Sequence, residues 1–149
     1  FQRQPSNNKP SNSKPSGNAS SKPSGGGSSS SKPGNASLGQ QIANKGCEYI
    51  GNKYVYGGNS LTNGIDCSGF VQSVFAHFGI SLPRTTYDQI YAGVEVSYDQ
   101  AMPGDLICYD GHIGIYIGNG QIVNAQNPEQ GIGISPATYT TILSVRRIV

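Results

Sequence analysis

Residues 1–37 are built almost wholly from Ser, Pro, Asn, Gly and Lys, and this constrains the chain more than any other feature. Their apolar surface is limited to Phe1 and two alanines, with Lys-Pro recurring at Lys9, Lys14, Lys22 and Lys32. Such a segment cannot bury enough apolar area to offset its conformational entropy. We therefore expect a disordered basic linker over residues 1–37 and a folded domain over residues 38–149. That second stretch must supply the whole core, and it is long enough to do so.

Charge follows the same division. Arg3, Lys9, Lys14, Lys22 and Lys32 give the first segment +5 with no acid, so the overall +2 leaves −3 on the remainder. No apolar run approaches the roughly 20 residues a membrane span needs. The chain does not open with methionine, which leads us to expect a processed form or an excised piece. The three cysteines, Cys47, Cys67 and Cys108, form no Cys-x-x-Cys pair and do not cluster with His77 or His112, so no zinc site is expected.

Helical spacing and alternation organise residues 38–149. "LGQQIANKGCEYIG" puts Leu38, Ile42, Tyr49 and Ile50 near one stripe and predicts a three-turn helix. "CSGFVQSVFAHFG" predicts a central helix with Phe70, Val71, Val74, Phe75 and Phe78 on a broad apolar face, ended by Gly79. "SLPRTTYDQIYAG" reads as a loop entering a short helix, and "MPGDLICY" as a turn and a strand. "HIGIYIGNGQIVNAQ" alternates like a hairpin around Gly118, Asn119 and Gly120, and "GIGIS" and "ILSVRRIV" supply further strands. Helices followed by adjacent strands predict an α+β domain with an antiparallel sheet.

Cys67 is the candidate nucleophile. Asp66 suits an N-cap, so Cys67 falls in the first helical turn, where free N–H groups and the helix dipole favour a thiolate. Asp66 itself opposes ionisation, so a base is needed. Cys67 could instead be a small buried apolar residue, but Ser68 and Gly69 are poor helix formers and suggest close approach at this spot. Cys47 and Cys108 lack such flanks and read as core residues, while His77, beside a helix end, reads as a surface histidine.

His112 is the candidate base. With Gly118-Asn119-Gly120 as the loop, Ile117 faces Gln121, Gly114 faces Asn124 and His112 faces Gln126. Asn124 is then the diagonal neighbour of His112, and Asn124 or Gln126 can orient its ring. A two-residue Asn-Gly turn would move Asn124 to the opposite face. Cys-His-Asn is one known arrangement for acyl transfer by a thiol.

The segments "YVYGG", "DCSGFVQ", "GISLPRTTYDQ", "MPGDLI", "GHIGIYIGNG" and "IVNA", in this order, resemble the NlpC/p60 family of cysteine peptidases across residues 38–149. The resemblance implies a papain-like α+β fold, with the nucleophile at a helix N-terminus packed on an antiparallel sheet. It implies hydrolysis of peptidoglycan stem peptides, usually between γ-D-glutamate and the diamino acid, with no metal or other cofactor. By matching motifs it gives Cys67 as nucleophile, His112 as base and Asn124 as third residue. Tyr54, with Tyr56 as the alternative, matches an oxyanion donor. Asp66 and Ser68 match residues that grip the stem peptide. Arg84 matches a recurrent arginine that serves either substrate or structure. Lys53-Tyr54 and Tyr56 stand where the family commonly has Pro-Tyr and Trp, and Cys108 where a bulky apolar residue is usual.

Two other readings remain. One is a related thiol enzyme, such as an amidase cutting the glycan–peptide link or an acyltransferase. The other is a non-catalytic wall-binding module. The expected setting is secreted or cell-wall associated, with anionic wall polymers meeting the basic segment and an upstream domain preceding it. Neither a nucleic-acid partner nor a transmembrane segment is expected.

Overall fold

Asn35 opens the first element. Its side chain accepts a hydrogen bond from the Leu38 N–H at 3.0 Å, the N-cap geometry that satisfies one of the free donors of a helix start. The computed structural model describes residues 34–149. The expected disordered linker therefore lies, apart from residues 34–37, outside the described residues. Those four do not continue it: helix α1 spans Ala36–Cys47, starting before the expected boundary at Leu38 because the cap is Asn35.

The order after α1 is β1 (Asn59–Ser60), β2 (Gly64–Ile65), α2 (Cys67–Ala76), α3 (Thr86–Gln89), β3 (Val94–Val96), a 3-10 turn at Tyr98–Gln100, β4 (Leu106–Tyr109), β5 (His112–Gly118), β6 (Gln121–Ala125), β7 (Ile132–Pro136) and β8 (Ser144–Arg147). Strands β3 to β8 form one antiparallel sheet in the order β3-β8-β4-β5-β6-β7, and β1 pairs with β2 separately. This is the expected α+β architecture. The sequence reading took "NSLTNG" as a plain loop and did not anticipate β3; both hold strands of only two or three residues, too short for alternation to register.

The sheet buries both faces. On one, Leu106, Cys108, Ile113, Ile115, Val123, Ala125 and Ile132 pack against Ile42 of α1 and Phe70, Val71, Val74 and Phe75 of α2. On the other, Ile107, Tyr109, Ile122 and Val145 pack with Val96 and Ala137. Alternation along β4 to β6 is therefore not apolar against polar, because successive residues enter two cores. At the far end, Arg147 grips the buried Asp105 with Nε–Oδ1 at 3.1 Å and Nη2–Oδ2 at 2.8 Å, tying β8 to the turn before β4.

The β5–β6 hairpin differs from the expected three-residue loop. Gly118 pairs with Gln121, leaving a two-residue turn at Asn119 (φ 56°) and Gly120 (φ 73°). Two positive φ values match a type I′ turn, whose twist suits a hairpin. A bulge between Tyr116 and Gly118 then shifts the register, so that Tyr116 faces Ile122 and Ile115 faces Val123. The bulge cancels the one-residue slip the shorter turn would cause. Ile117 does not face Gln121 as expected, yet the strand body keeps the pairing that puts Asn124 on the side of His112.

Helix α1 meets the turn before β4 at a glycine–glycine contact. A Cβ at Gly39 would sit 2.2 Å from the Pro103 carbonyl oxygen, and one at Gly104 (φ +95°) would sit 2.5 Å from the Gly39 Cα. Helix propensity alone makes Gly39→Ala stabilising by about 1 kcal/mol. The backbone collision reverses the sign. Gly39→Ala should lower unfolding free energy by about 2 kcal/mol, read from the urea midpoint at unchanged slope.

Candidate active site

The first turn of α2 is assembled around Asp66. Its Oδ1 accepts from the Gly69 N–H at 2.8 Å and its Oδ2 from the Gly57 N–H at 3.1 Å. Arg84 Nη2 makes an ion pair with Oδ1 at 3.0 Å. The same guanidinium donates to Asn59 Oδ1 at 2.7 Å, Ser68 Oγ at 2.8 Å and the Gly58 carbonyl at 3.1 Å. A Cβ at Gly69 would lie 2.7 Å from the Gly58 oxygen and 2.8 Å from Asp66 Oδ1, so only glycine lets these groups close on the helix. That explains the glycine after Cys67-Ser68. The structure thus brings Asp66, Ser68 and Arg84 together, with Ser68 buried and their polar groups occupied by one another.

Cys67 is buried at 8 % exposure. Burial pushes its thiol pKa up, and the Asp66 carboxylate adds to the rise, while the backbone N–H groups of Ser68, Ile113 and Cys67 itself pull the other way. The Ile113 contact docks the sulfur at the start of β5, one residue from His112. Tyr54 also comes near this thiol. It bridges to Ile65, packs against the main core, and its phenol is raised first by burial and then by Cys67. Tyr56 is 89 % exposed. Of the two tyrosines left open by the sequence, Tyr54 is the one packed beside the thiol.

His112 sits in an aromatic niche. Its ring stacks on Tyr109 at 5.9 Å between centroids and meets the edge of Tyr139 at 6.3 Å. Tyr109 is fixed in turn by a hydrogen bond from its hydroxyl to the Ala137 carbonyl at 2.6 Å. Burial lowers the His112 pKa. Both shifts favour the neutral forms, a thiol at Cys67 and an imidazole at His112, and a neutral imidazole is the form that accepts a proton.

Asn124 is 1 % exposed and lines a cavity of about 300 Å³ together with His112, Gln126, Ser135 and Tyr139. Its Oδ1 has no hydrogen-bond partner among the described residues. Gln126, the other possible orienter, has its amide oxygen taken by Ser135 at 2.9 Å. Asn124 thus lines the same cavity as His112 and carries a buried acceptor with no partner among the described residues.

Two contributors escaped the sequence reading. Tyr139, whose phenol pKa is pushed up first by burial and then by Cys67, flanks His112, but "ATYTT" carries no pattern that marks it. Gln89, fully buried, donates to the Ser68 carbonyl at 3.0 Å and the Pro83 carbonyl at 2.7 Å, holding the first turn of α2 from α3. The remaining cysteines are free, and Cys108, pushed up to about 12 by burial, is a core residue as expected, while Cys47 is half-buried. His77 is exposed at the end of α2. Among the described residues no group of three His, Cys, Asp or Glu side chains is placed to hold a metal ion, and no helix is long and apolar enough to cross a membrane.

Two outcomes follow from this geometry. Arg84→Met removes four polar contacts around the helix start and should cost about 2 kcal/mol in chemical denaturation. It also exposes Cys67 to an unscreened Asp66, so alkylation of Cys67 by iodoacetamide at pH 8 should slow, as followed by peptide mass spectrometry. His112 gives a pH dependence. Its folded pKa lies below the ordinary 6.5, so the unfolded chain binds the proton more readily. Stability is held above pH 6.5 and lost as pH falls through the folded value. Denaturation midpoints of wild type and His112→Gln should diverge over that window, the wild type falling more steeply.

The comparisons with known proteins agree with this fold. The model of the NlpC/P60 family matches residues 51–145. A "Probable endopeptidase p60" of Listeria innocua is 48% identical over 85 residues, covering 54% of this chain and 18% of that protein. The "Bifunctional muramidase/DL-endopeptidase CwlT" of Bacillus subtilis is 36% identical over 102 residues, 63% of this chain and 31% of its own length. The "Murein DD-endopeptidase MepS/Murein LD-carboxypeptidase" of Escherichia coli K12 is 41% identical over 107 residues, 68% of this chain and 56% of its own length. The chain thus spans less than two thirds of each of these relatives. Among solved structures, the peptidoglycan hydrolase RipB of Mycobacterium tuberculosis superposes with a TM-score of 0.70 at 32% identity, over 76% of this chain and 66% of that one.

Proposed function

The chain belongs to the NlpC/P60 family, and we propose that it is a cysteine peptidase that hydrolyses a stem-peptide bond of bacterial peptidoglycan. The observation that carries this reading is the convergence on the Cys67 sulfur of a helix start, the Ile113 N–H beside His112, and Tyr54. A buried thiol serving only the core would not need Asp66, Arg84 and Gln89 to build the turn that presents it.

The mechanism uses His112 as a general base. It removes the thiol proton as Cys67 attacks the scissile carbonyl, which makes thiolate only when it is needed. The Cys67 N–H and the Tyr54 hydroxyl stabilise the oxyanion, each donor contributing about 3 kcal/mol in comparable sites. His112 then protonates the departing amine, and water releases the acyl group. Asn124 holds the ring through its amide oxygen. Asp66, Ser68 and Arg84 act chiefly by shaping the acyl side of the cleft, since their polar groups already engage one another.

The bond is the one between γ-D-glutamate and the diamino acid. The name of the Bacillus relative favours a D,L bond and that of the Escherichia relative a D,D bond, so the printed names of the relatives divide on this point. The action is extracytoplasmic, in keeping with relatives named for murein. Residues 1–37, with +5 and no acid, act as a tether that anionic wall polymers attract.

Mass spectrometry of purified muropeptides tests the reading. Wild type should leave a disaccharide carrying L-alanyl-γ-D-glutamate, and Cys67→Ala and His112→Ala should each lose at least about 10³-fold in turnover with folding retained. Asn124→Ala should lose roughly tenfold, equal to about 1.4 kcal/mol of barrier. Full turnover by Cys67→Ala ends the nucleophile assignment. Release of whole stem peptides would replace the endopeptidase with an amidase.

A further inference from the structure

We propose that Ser135 and Gln126 are positioning residues that fix which end of the Asn124 amide faces His112, and through it the tautomer of the histidine ring; this rests on the acyl-transfer reading above. The argument is one of hydrogen counting. Gln126 Nε2 donates to the Gly131 carbonyl at 3.4 Å, so its Oε1 is turned away from that carbonyl. Oε1 accepts the Ser135 hydroxyl proton at 2.9 Å. A serine hydroxyl has one proton, so Ser135 Oγ is left only as an acceptor. It takes the Asn124 Nδ2 proton at 3.5 Å. A reversed Asn124 would set its carbonyl oxygen against the Ser135 lone pairs. The polarity of one backbone carbonyl is thus handed along three side chains, and it leaves Asn124 Oδ1 buried and unpartnered among the described residues, in a side chain that lines the same cavity as His112.

Sheet register supplies the room. Asn124 faces Gly133 on β7. A Cβ at position 133 would lie 2.6 Å from Gln126 Nε2, and one at Gly114 on β5 would lie 3.3 Å from the Asn124 Cβ. Glycines flank Asn124 on both sides, and their missing side chains let Gln126 and Ser135 meet on one side and let Asn124 reach diagonally toward His112 on the other.

With Oδ1 as the end left open, an imidazole N–H directed at Asn124 is favoured over a bare ring nitrogen there, and the other ring nitrogen is left unprotonated for the thiol. Neither Ser135 nor Gln126 touches the reacting atoms. Their effect runs through the histidine, so it appears as a tautomer change and a loss in kcat, not in KM.

Nitrogen NMR of the imidazole side chains at pH 8 tests this without substrate. The chain has two histidines, so the His112→Gln spectrum assigns the signals. Wild-type His112 should hold one neutral tautomer. Ser135→Ala should mix the two tautomers and lower kcat about fivefold with KM unchanged, and Ser135→Thr, which keeps the hydroxyl, should restore both. Gly133→Ala attacks the relay from another residue by displacing Gln126 and should reproduce the Ser135→Ala pattern. Amide spectra establish that each variant is folded. Wild-type tautomer populations in both Ser135→Ala and Gly133→Ala would overturn the proposal, and so would a mixed tautomer in wild type or a rise in KM at constant kcat. A single wild-type tautomer that the variants scramble, in a protein that cleaves no muropeptide, would uphold the relay and remove the peptidase reading.

Discussion

The Asp66 carboxylate is the interaction on which the rest of the site depends. It caps α2, anchors the Gly57 backbone and holds Arg84, which in turn draws in Gly58, Asn59 and Ser68. The cost is electrostatic. A negative charge beside Cys67 raises the thiol pKa, in addition to the larger effect of burial. The fold accepts this because Arg84 offsets much of the charge, and because three backbone N–H groups face the sulfur. The same carboxylate therefore builds the helix start whose N–H groups favour the thiolate and supplies the charge that opposes it. Under the proposed function, the balance leaves a thiol that needs a base.

Much of the fold and of the site was legible in local pattern. Asp66 followed by Cys67 signalled a helix start because capping is decided within three residues. Alternation in β5 and β6 gave the hairpin, and its register gave the proximity of Asn124 to His112. The exact loop was less legible. A type I′ turn plus a bulge and a three-residue loop leave the same pairing in the strand body, and only the φ values separate them. What sequence missed comes from contacts between distant segments. Arg84 reaches Gly58 and Asn59 across 26 and 25 residues, and Tyr109 reaches Ala137 across 28. No periodicity records such pairs, so nothing in the sequence marked Tyr139 or Gln89.

Absent side chains matter as much as present ones. Gly39 and Gly104 let α1 touch the turn that leads into β4, and Gly69 lets the Asp66–Arg84 clamp close over the α2 start. Gly114 and Gly133 clear a row across β5, β6 and β7 in which Asn124 is the largest side chain. In each case the glycine is at a contact between elements, and its use is the removal of one Cβ. Composition alone, with 21 glycines over the whole chain, does not distinguish these from the glycines of turns and the N-terminal segment.

Asn124 brings these threads together, because its geometry is costly for stability alone. A buried amide oxygen without a partner costs about 1–3 kcal/mol relative to one that is hydrogen-bonded. An apolar residue of similar size would suit a position flanked by Val123 and Ala125 and would carry no such penalty. The neighbours do not relieve it: Ser135, itself held by Gln126, accepts from the amide nitrogen, and the oxygen is left without a partner among the described residues. A free acceptor held that way is what a histidine ring needs when it must present its N–H in one direction and its bare nitrogen in the other. The unsatisfied oxygen is thus a local loss of stability, and under the proposed mechanism it becomes a gain when the imidazole N–H meets it.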